Sequence, residues 1–205
     1  MNKYFDTFYD WWKNIDKTIF LIISLLFSLG LFFSLVSTSI IASDKLNTNS
    51  YYFFLKHFVF VVLGIFLILV FSLMNQKILF KLSIILFFIT FITLFLVPII
   101  GVEVKGSKRW LDIGSLPRFQ PIEILKPFFV IVMSLIISIE KKNIYIKYLF
   151  STIILLPTII LLLSQPDLGQ TLLIISIWFT LVFVSGINLF LFSFSLISIF
   201  SLTLF

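Results

Sequence analysis

What most constrains this chain is a succession of apolar stretches, each about long enough to cross a lipid bilayer and each set off from the next by a short polar break. They cover residues 18–41, 57–73, 82–100, 121–139, 148–163, 171–186 and 188–205. A helix needs about 20 residues to cross the hydrocarbon core, and lipid offers no partner to a bare backbone N–H or C=O. The spacing therefore predicts an all-α integral membrane protein, a polytopic helical bundle with about seven transmembrane spans. The fifth and sixth stretches are slightly short and are expected to borrow flanking residues. The first is too long, and its flank too rich in Asp and Trp, to be a cleaved secretory signal.

Composition closes most other classes. The chain is 60% hydrophobic and 12% charged, and its 28 Phe outnumber its 15 basic and nine acidic residues together. It has no Cys and one His, His57, which excludes a disulfide framework, a thiolate metal site, a cysteine nucleophile and an imidazole cage. The net charge of +6 has no soluble basic face to carry it, so nucleic acid is not an expected partner. Asp44, Lys45 and His57 form no constellation and are read as surface solvation. Trp11, Trp12 and Trp178 are read as interfacial anchors. With no internal repeat and no linker, residues 1–205 are expected to form one transmembrane domain. The last stretch reaches Phe205 without a polar flank, so the chain is expected to be cut short within its seventh helix.

Lys and Arg in short connections orient a membrane protein. One side carries eight cations: Lys3, Lys13, Lys17, Lys77, Lys81, Lys141, Lys142 and Lys147. The other carries Lys45 and Lys56 plus five in a single loop: Lys105, Lys108, Arg109, Arg118 and Lys126. Counted whole, eight against seven decides nothing; with that loop set aside as functional, eight against two places the amino terminus in the cytoplasm.

The exceptional loop, Gly101 to Pro127, holds three of the seven Gly, three of the six Pro and both Arg. A planar, permanently charged fork suits phosphate or carboxylate, although two Arg can also fall together by chance and reach toward lipid headgroups. Gly106 gives flexibility ahead of Lys108, Arg109 and Trp110, a set that could hold a lipid-linked anion at headgroup depth; taken alone, Trp110 is an ordinary interfacial anchor. Gln120 precedes Pro121, which suits the first helical position and places Glu123 and Lys126 three residues apart on one face, where they can pair. Pro127 lacks the N–H that would reach the Glu123 carbonyl, so a kink and a cavity are expected beside the pair. A second polar break, Ser164-Gln165-Pro166-Asp167-Leu168-Gly169-Gln170, falls by parity on the same side as the basic loop. Asp167 is expected to cap the helix that follows.

The residues G-S-K-R-W-L-D-I-G at 106–114, Q-P-I-E-I-L-K at 120–126 and Q-P-D-L-G at 165–169 resemble, in order and spacing, the SEDS family of shape, elongation, division and sporulation proteins. G-V-E-V-K-G-S-K-R-W and Lys126-Pro127 lean toward its FtsW branch. Ile122 departs from the small Ser or Thr usual before the family's Glu. The resemblance implies a ten-helix glycosyltransferase of the bacterial cytoplasmic membrane that polymerises lipid II, a disaccharide-pentapeptide on undecaprenyl pyrophosphate, into peptidoglycan. It implies substrate-binding roles for Lys108, Arg109, Trp110, Glu123 and Lys126. Gly106, Gln120, Pro121, Gln165, Pro166, Asp167 and Gly169 would shape the cavity. The family's catalytic Asp lies in a large loop after the seventh helix, beyond residue 205, so no catalytic residue is assigned, and residues 1–205 alone are expected to be inactive. No cofactor or metal site is implied, with a divalent-cation requirement left open. The implied partners are membrane lipid, lipid II and a class B penicillin-binding protein. A lipid II transporter and a noncatalytic division scaffold are the alternative functions.

Overall fold

The computed structural model describes residues 9, 11–13, 15–38, 51–104, 106–114, 117–140, 143–186 and 193. In chain order the elements are α1 (Lys17–Phe33, continuing as a π-helical turn, Ser34–Thr38), α2 (Tyr52–Ser72), α3 (Gln76–Ile100), β1 (Val102–Val104), β2 (Ser107–Trp110), α4 (Pro121–Ile137), α5 (Ile144–Ser164) and α6 (Leu168–Val184). These match the first six apolar stretches; the stretch 188–205 lies almost wholly outside the described residues. Four helices, α1 with its continuation to Val36, α2, α3 and α5, have 20–25 residues and are apolar enough to cross a membrane. The chain is an all-α polytopic membrane protein whose two strands, among the described residues, form the small β1–β2 ribbon. As expected, the short fifth and sixth stretches borrow flanking residues: α5 runs from Ile144 to Ser164, and α6 begins at Leu168, although it ends at Val184.

The chain forms two compact units, Met1–Asn75 and Gln76–Phe205. In the first, Asp16 caps α1, its Oδ1 accepting from the N–H groups of Thr18 and Ile19 at 2.9 and 3.1 Å. Helix α1 has no buried residue and α2 only Val61, as suits helices whose apolar surface faces lipid. They meet through glycines: a Cβ on Gly30 would lie 3.6 Å from the His57 ring, and one on Gly64 would lie 3.6 Å from Phe27. Small residues let membrane helices approach closely. His57 is therefore not a solvating surface residue, as its sequence neighbours implied. Helix α2 begins at Tyr52, so the imidazole falls within it, half-buried against Gly30.

The second unit packs α3, α4, α5 and α6 around a core that includes Phe87, Leu94, Leu125, Phe129, Leu155 and Trp178. Two buried threonines in these helices are satisfied by their own backbone: Thr90 donates to the Leu86 carbonyl at 2.7 Å and Thr158 to that of Ile154 at 3.0 Å. Trp178 corrects its reading as an interfacial anchor. It stands in the middle of α6, fully buried, and its indole N–H donates to Ser151 Oγ on α5 at 3.0 Å.

Candidate functional site

The segment between α3 and α4 folds back on itself at once. Gly101 ends α3, its N–H donating to the Val97 carbonyl at 2.8 Å; a Cβ there would lie 2.3 Å from that oxygen, so only glycine fits. Strands β1 and β2 pair antiparallel with Val104 opposite Ser107 and Glu103 opposite Lys108, whose charges face each other across the ribbon without forming an ion pair among the described residues. Gly106 in the turn has φ +80° and nothing within 4 Å of where its Cβ would be. This positive φ is the reason for glycine at the tip. Beyond β2, Leu111 and Phe119 exchange backbone hydrogen bonds at 3.0 and 3.2 Å, and Arg118 pairs with Asp112 at 2.9 Å, closing the loop that leads into α4.

Alternation along β2 gives its residues two destinations. Lys108 and Trp110 are exposed, whereas Ser107 and Arg109 are half-buried. Arg109 reaches the tight turn between α5 and α6. Its Nε donates to the Gln165 carbonyl at 3.3 Å, Nη2 donates to the Pro166 carbonyl, and Nη1 lies 3.6 Å from Asp167 Oδ1. Of five guanidinium N–H groups, three are directed at this turn and two remain for another acceptor. The Asp167 residue is 5% exposed and the Arg109 side chain 34%.

Asp167 gathers more than Arg109. Its Oδ2 accepts from Gln120 Nε2 at 3.1 Å, and Oδ1 accepts from the Gln170 N–H at 3.4 Å, which makes it the N-cap of α6 as expected. Pro121 is the first residue of α4, as expected, and because Gln120 makes no side-chain cap there its amide is free to reach Asp167. One turn into α4, Glu123 Oε2 lies 2.5 Å from Lys126 Nζ, the predicted pair, while Oε1 accepts from Gln170 Nε2 at 2.7 Å. Gln165 is 1% exposed; its Nε2 donates to the Leu94 carbonyl of α3 at 3.4 Å, and its Oε1 is buried without a hydrogen-bond partner among the described residues. Gly169, two residues after Asp167 in the first turn of α6, is exposed.

The family model of FtsW/RodA/SpoVE cell cycle proteins matches residues 16–205. The chain belongs to this family. It is 33% identical over 93% of its length to the probable peptidoglycan glycosyltransferase FtsW of Wigglesworthia glossinidia brevipalpis, covering 51% of that protein. It is 36% identical over 78% of its length to the corresponding Buchnera aphidicola protein, covering 41% of it. The chain thus spans about half the length of the relatives it matches. The fold is that of the Thermus thermophilus rod shape determining protein RodA, with a TM-score of 0.76 at 24% identity over 94% of this chain and 60% of that one. A chain from a peptidoglycan synthase complex aligns with a TM-score of 0.71 at 23% identity, over 93% of this chain and 53% of that one.

In this member of the FtsW/RodA/SpoVE family, the residues singled out in sequence do converge, but with a different division of labour. Arg109, Gln120, Pro121, Gln165, Pro166 and Asp167 form one node; Glu123 and Lys126 join it through Gln170, which the motifs did not single out. Among the described cations of the loop, Arg109, Arg118 and Lys126 each pair with a carboxylate, which leaves Lys108, beside Trp110, as the one outside an ion pair. Lys105 lies outside the described residues. Helix α4 runs unbroken through Pro127. Two open apolar grooves, of 360 and 550 Å³, flank the helices at Val130, Leu173 and Thr180 and at Phe95, Pro157 and Ile160; neither is lined by Glu123 or Lys126.

Proposed function

We propose that this chain supplies the substrate-binding amino-terminal helices of an FtsW-type peptidoglycan glycosyltransferase, which joins lipid II units into glycan strands. The observation that carries the reading is the alignment over 93% of the chain with a protein named for that activity. The geometry supports it. A ribbon rooted directly on a membrane-crossing helix presents a lysine and an indole, with a guanidinium behind them that retains two N–H groups. That suits a pyrophosphate at the membrane surface, where charge-assisted hydrogen bonds form with little competing water.

On this reading the protein lies in the bacterial cytoplasmic membrane with its amino terminus in the cytoplasm, and the ribbon and the 165–167 turn face outward. Lys108, Arg109 and Trp110 hold the lipid-linked diphosphate. Glu123 and Lys126 shape the wall beside it, and Asp167 fixes the turn on which Arg109 rests. These residues position and neutralise; deprotonation of the acceptor sugar hydroxyl falls to the carboxylate that the family resemblance implies beyond residue 205. A class B penicillin-binding protein that cross-links the new strands is the proposed partner, in keeping with a structural neighbour that comes from a peptidoglycan synthase complex.

The test supplies lipid II to the outer leaflet of proteoliposomes that hold the complete protein. Glycan strands support the proposal. Lipid II crossing the bilayer with no polymer formed makes the protein a transporter instead.

A further inference from the structure

Helix α3 carries Pro98 in its last turn. Proline has no N–H, so the carbonyl four residues earlier, that of Leu94, loses its helical partner. Leu94 is fully buried in the membrane-embedded core, where water is not at hand to replace that partner. The described donor that reaches this oxygen is Gln165 Nε2, from the turn between α5 and α6. The same glutamine has a buried Oε1 that accepts from no partner among the described residues. Leaving an acceptor unpaired in the core is unfavourable, so an amide gains its place there through the hydrogen it donates.

We propose that Gln165 is a positioning residue: its side chain replaces the backbone donor that Pro98 removes, and so ties the end of α3, where the ribbon begins, to the turn that also holds Arg109. The connection forms a closed ring. From Leu94 the chain passes through Pro98 and Gly101 into the ribbon; Arg109 of β2 bonds the Gln165 and Pro166 carbonyls; and Gln165 returns to Leu94. Both roots of the ribbon are thereby fastened to one turn, and Gln120 adds a third tie from the start of α4 through Asp167. What the ring holds in place is the outward pair, Lys108 and Trp110. That this placement serves lipid II rests on the function proposed above; the ring itself does not.

The test is a double-mutant cycle in the complete protein in nanodiscs. Gln165→Met keeps an unbranched side chain of similar volume while removing the donor and the unpaired oxygen together. If the amide were only filling space, this change would be neutral or stabilising. With the donor gone, backbone amides of residues 102–110 should exchange hydrogen about tenfold faster, with KM for lipid II rising in step. Pro98→Ala restores the N–H that reaches Leu94, so adding Gln165→Met to it should leave exchange within about twofold of Pro98→Ala alone.

Exchange unchanged by Gln165→Met, or a double variant as loose as Gln165→Met alone, overturns the proposal. A flat KM beside a loosened ribbon overturns the positioning role. If Gln165→Met does not fold, folding of the double variant supports the proposal and its failure counts against it. A wild-type protein that makes no polymer removes the glycosyltransferase reading, while the exchange cycle still judges the ring.

Discussion

Arg109 and Asp167, on a loop ribbon and at the cap of a membrane helix, are held 3.6 Å apart, and the guanidinium that makes this pair also bonds the two carbonyls just before Asp167. The carboxylate is nearly inaccessible while the guanidinium remains partly open. The pair is therefore a structural bracket on one side and an exposed cation on the other.

Replacing Asp167 with Asn keeps an acceptor for the cap but leaves Arg109 without its counter-charge. Removing one partner of a largely buried, hydrogen-bonded charge pair costs about 2–3 kcal/mol, at the lower end because Arg109 is partly solvated. Asp167→Ala loses the cap as well and should cost about 1 kcal/mol more. Thermal unfolding in detergent orders the three proteins wild type, Asn, Ala; equal midpoints for wild type and Asn would deny the bracket.

Arg109→Lys keeps the charge but cannot reproduce a fork that addresses two carbonyls and a carboxylate. In the complete protein, Arg109→Ala should abolish polymerisation with membrane insertion intact, and Arg109→Lys should lower the rate by about tenfold or more, equivalent to about 1.4 kcal/mol. Turnover of the Ala variant at the wild-type level would take Arg109 out of substrate handling.

Lys108 is exposed and lies outside any ion pair among the described residues. Lys108→Ala should therefore move stability by less than about 0.5 kcal/mol while raising KM for lipid II. An unaltered KM, measured beside an unaltered melting curve, would return Lys108 to plain solvation.

Glu123→Gln leaves a partner for Gln170 but removes the counter-ion of Lys126. The Glu123 side chain is 49% exposed, so the stability loss should stay within about 1 kcal/mol, and the effect should show in polymerisation rate. A variant that matches wild type in both would make the pair dispensable.

Trp178→Phe removes the buried N–H that Ser151 accepts, together with part of a large ring in a packed core. A loss of about 1–3 kcal/mol is expected, read as a lower unfolding temperature. No change would mean that α5 and α6 do not depend on this contact.

The helices were legible because apolar length is a strong signal in a chain that lipid surrounds, and Pro121, the Glu123–Lys126 spacing and the Asp167 cap follow from local rules that hold at any helix start. Parity alone placed the 165–167 turn on the side of the basic loop, which the Arg109–Asp167 pair bears out. The partners themselves were not legible. That Arg109 turns inward while Lys108 faces out depends on the register of a ribbon only a few residues long. The role of Gln165 depends on a proline far away in sequence. His57 and Trp178 were misread for a shared reason: composition assigns polar and amphipathic residues to surfaces, whereas each of these is placed by a small neighbour on an adjacent helix, Gly30 or Ser151. A signal for Gln165 was available in principle, since an amide beside an apolar span must find a donor or acceptor among its neighbours.

The alternating burial along β2 sets rules for how this segment can vary between species. Lengthening the tip near Gly106 costs little, because nothing crowds it. The register already slips by one residue at Arg109, between the Val102–Trp110 and Glu103–Lys108 pairs, so a further residue inserted between Ser107 and Trp110 would instead displace the guanidinium from the 165–167 turn. Natural length changes should therefore gather at the bend and spare the strand.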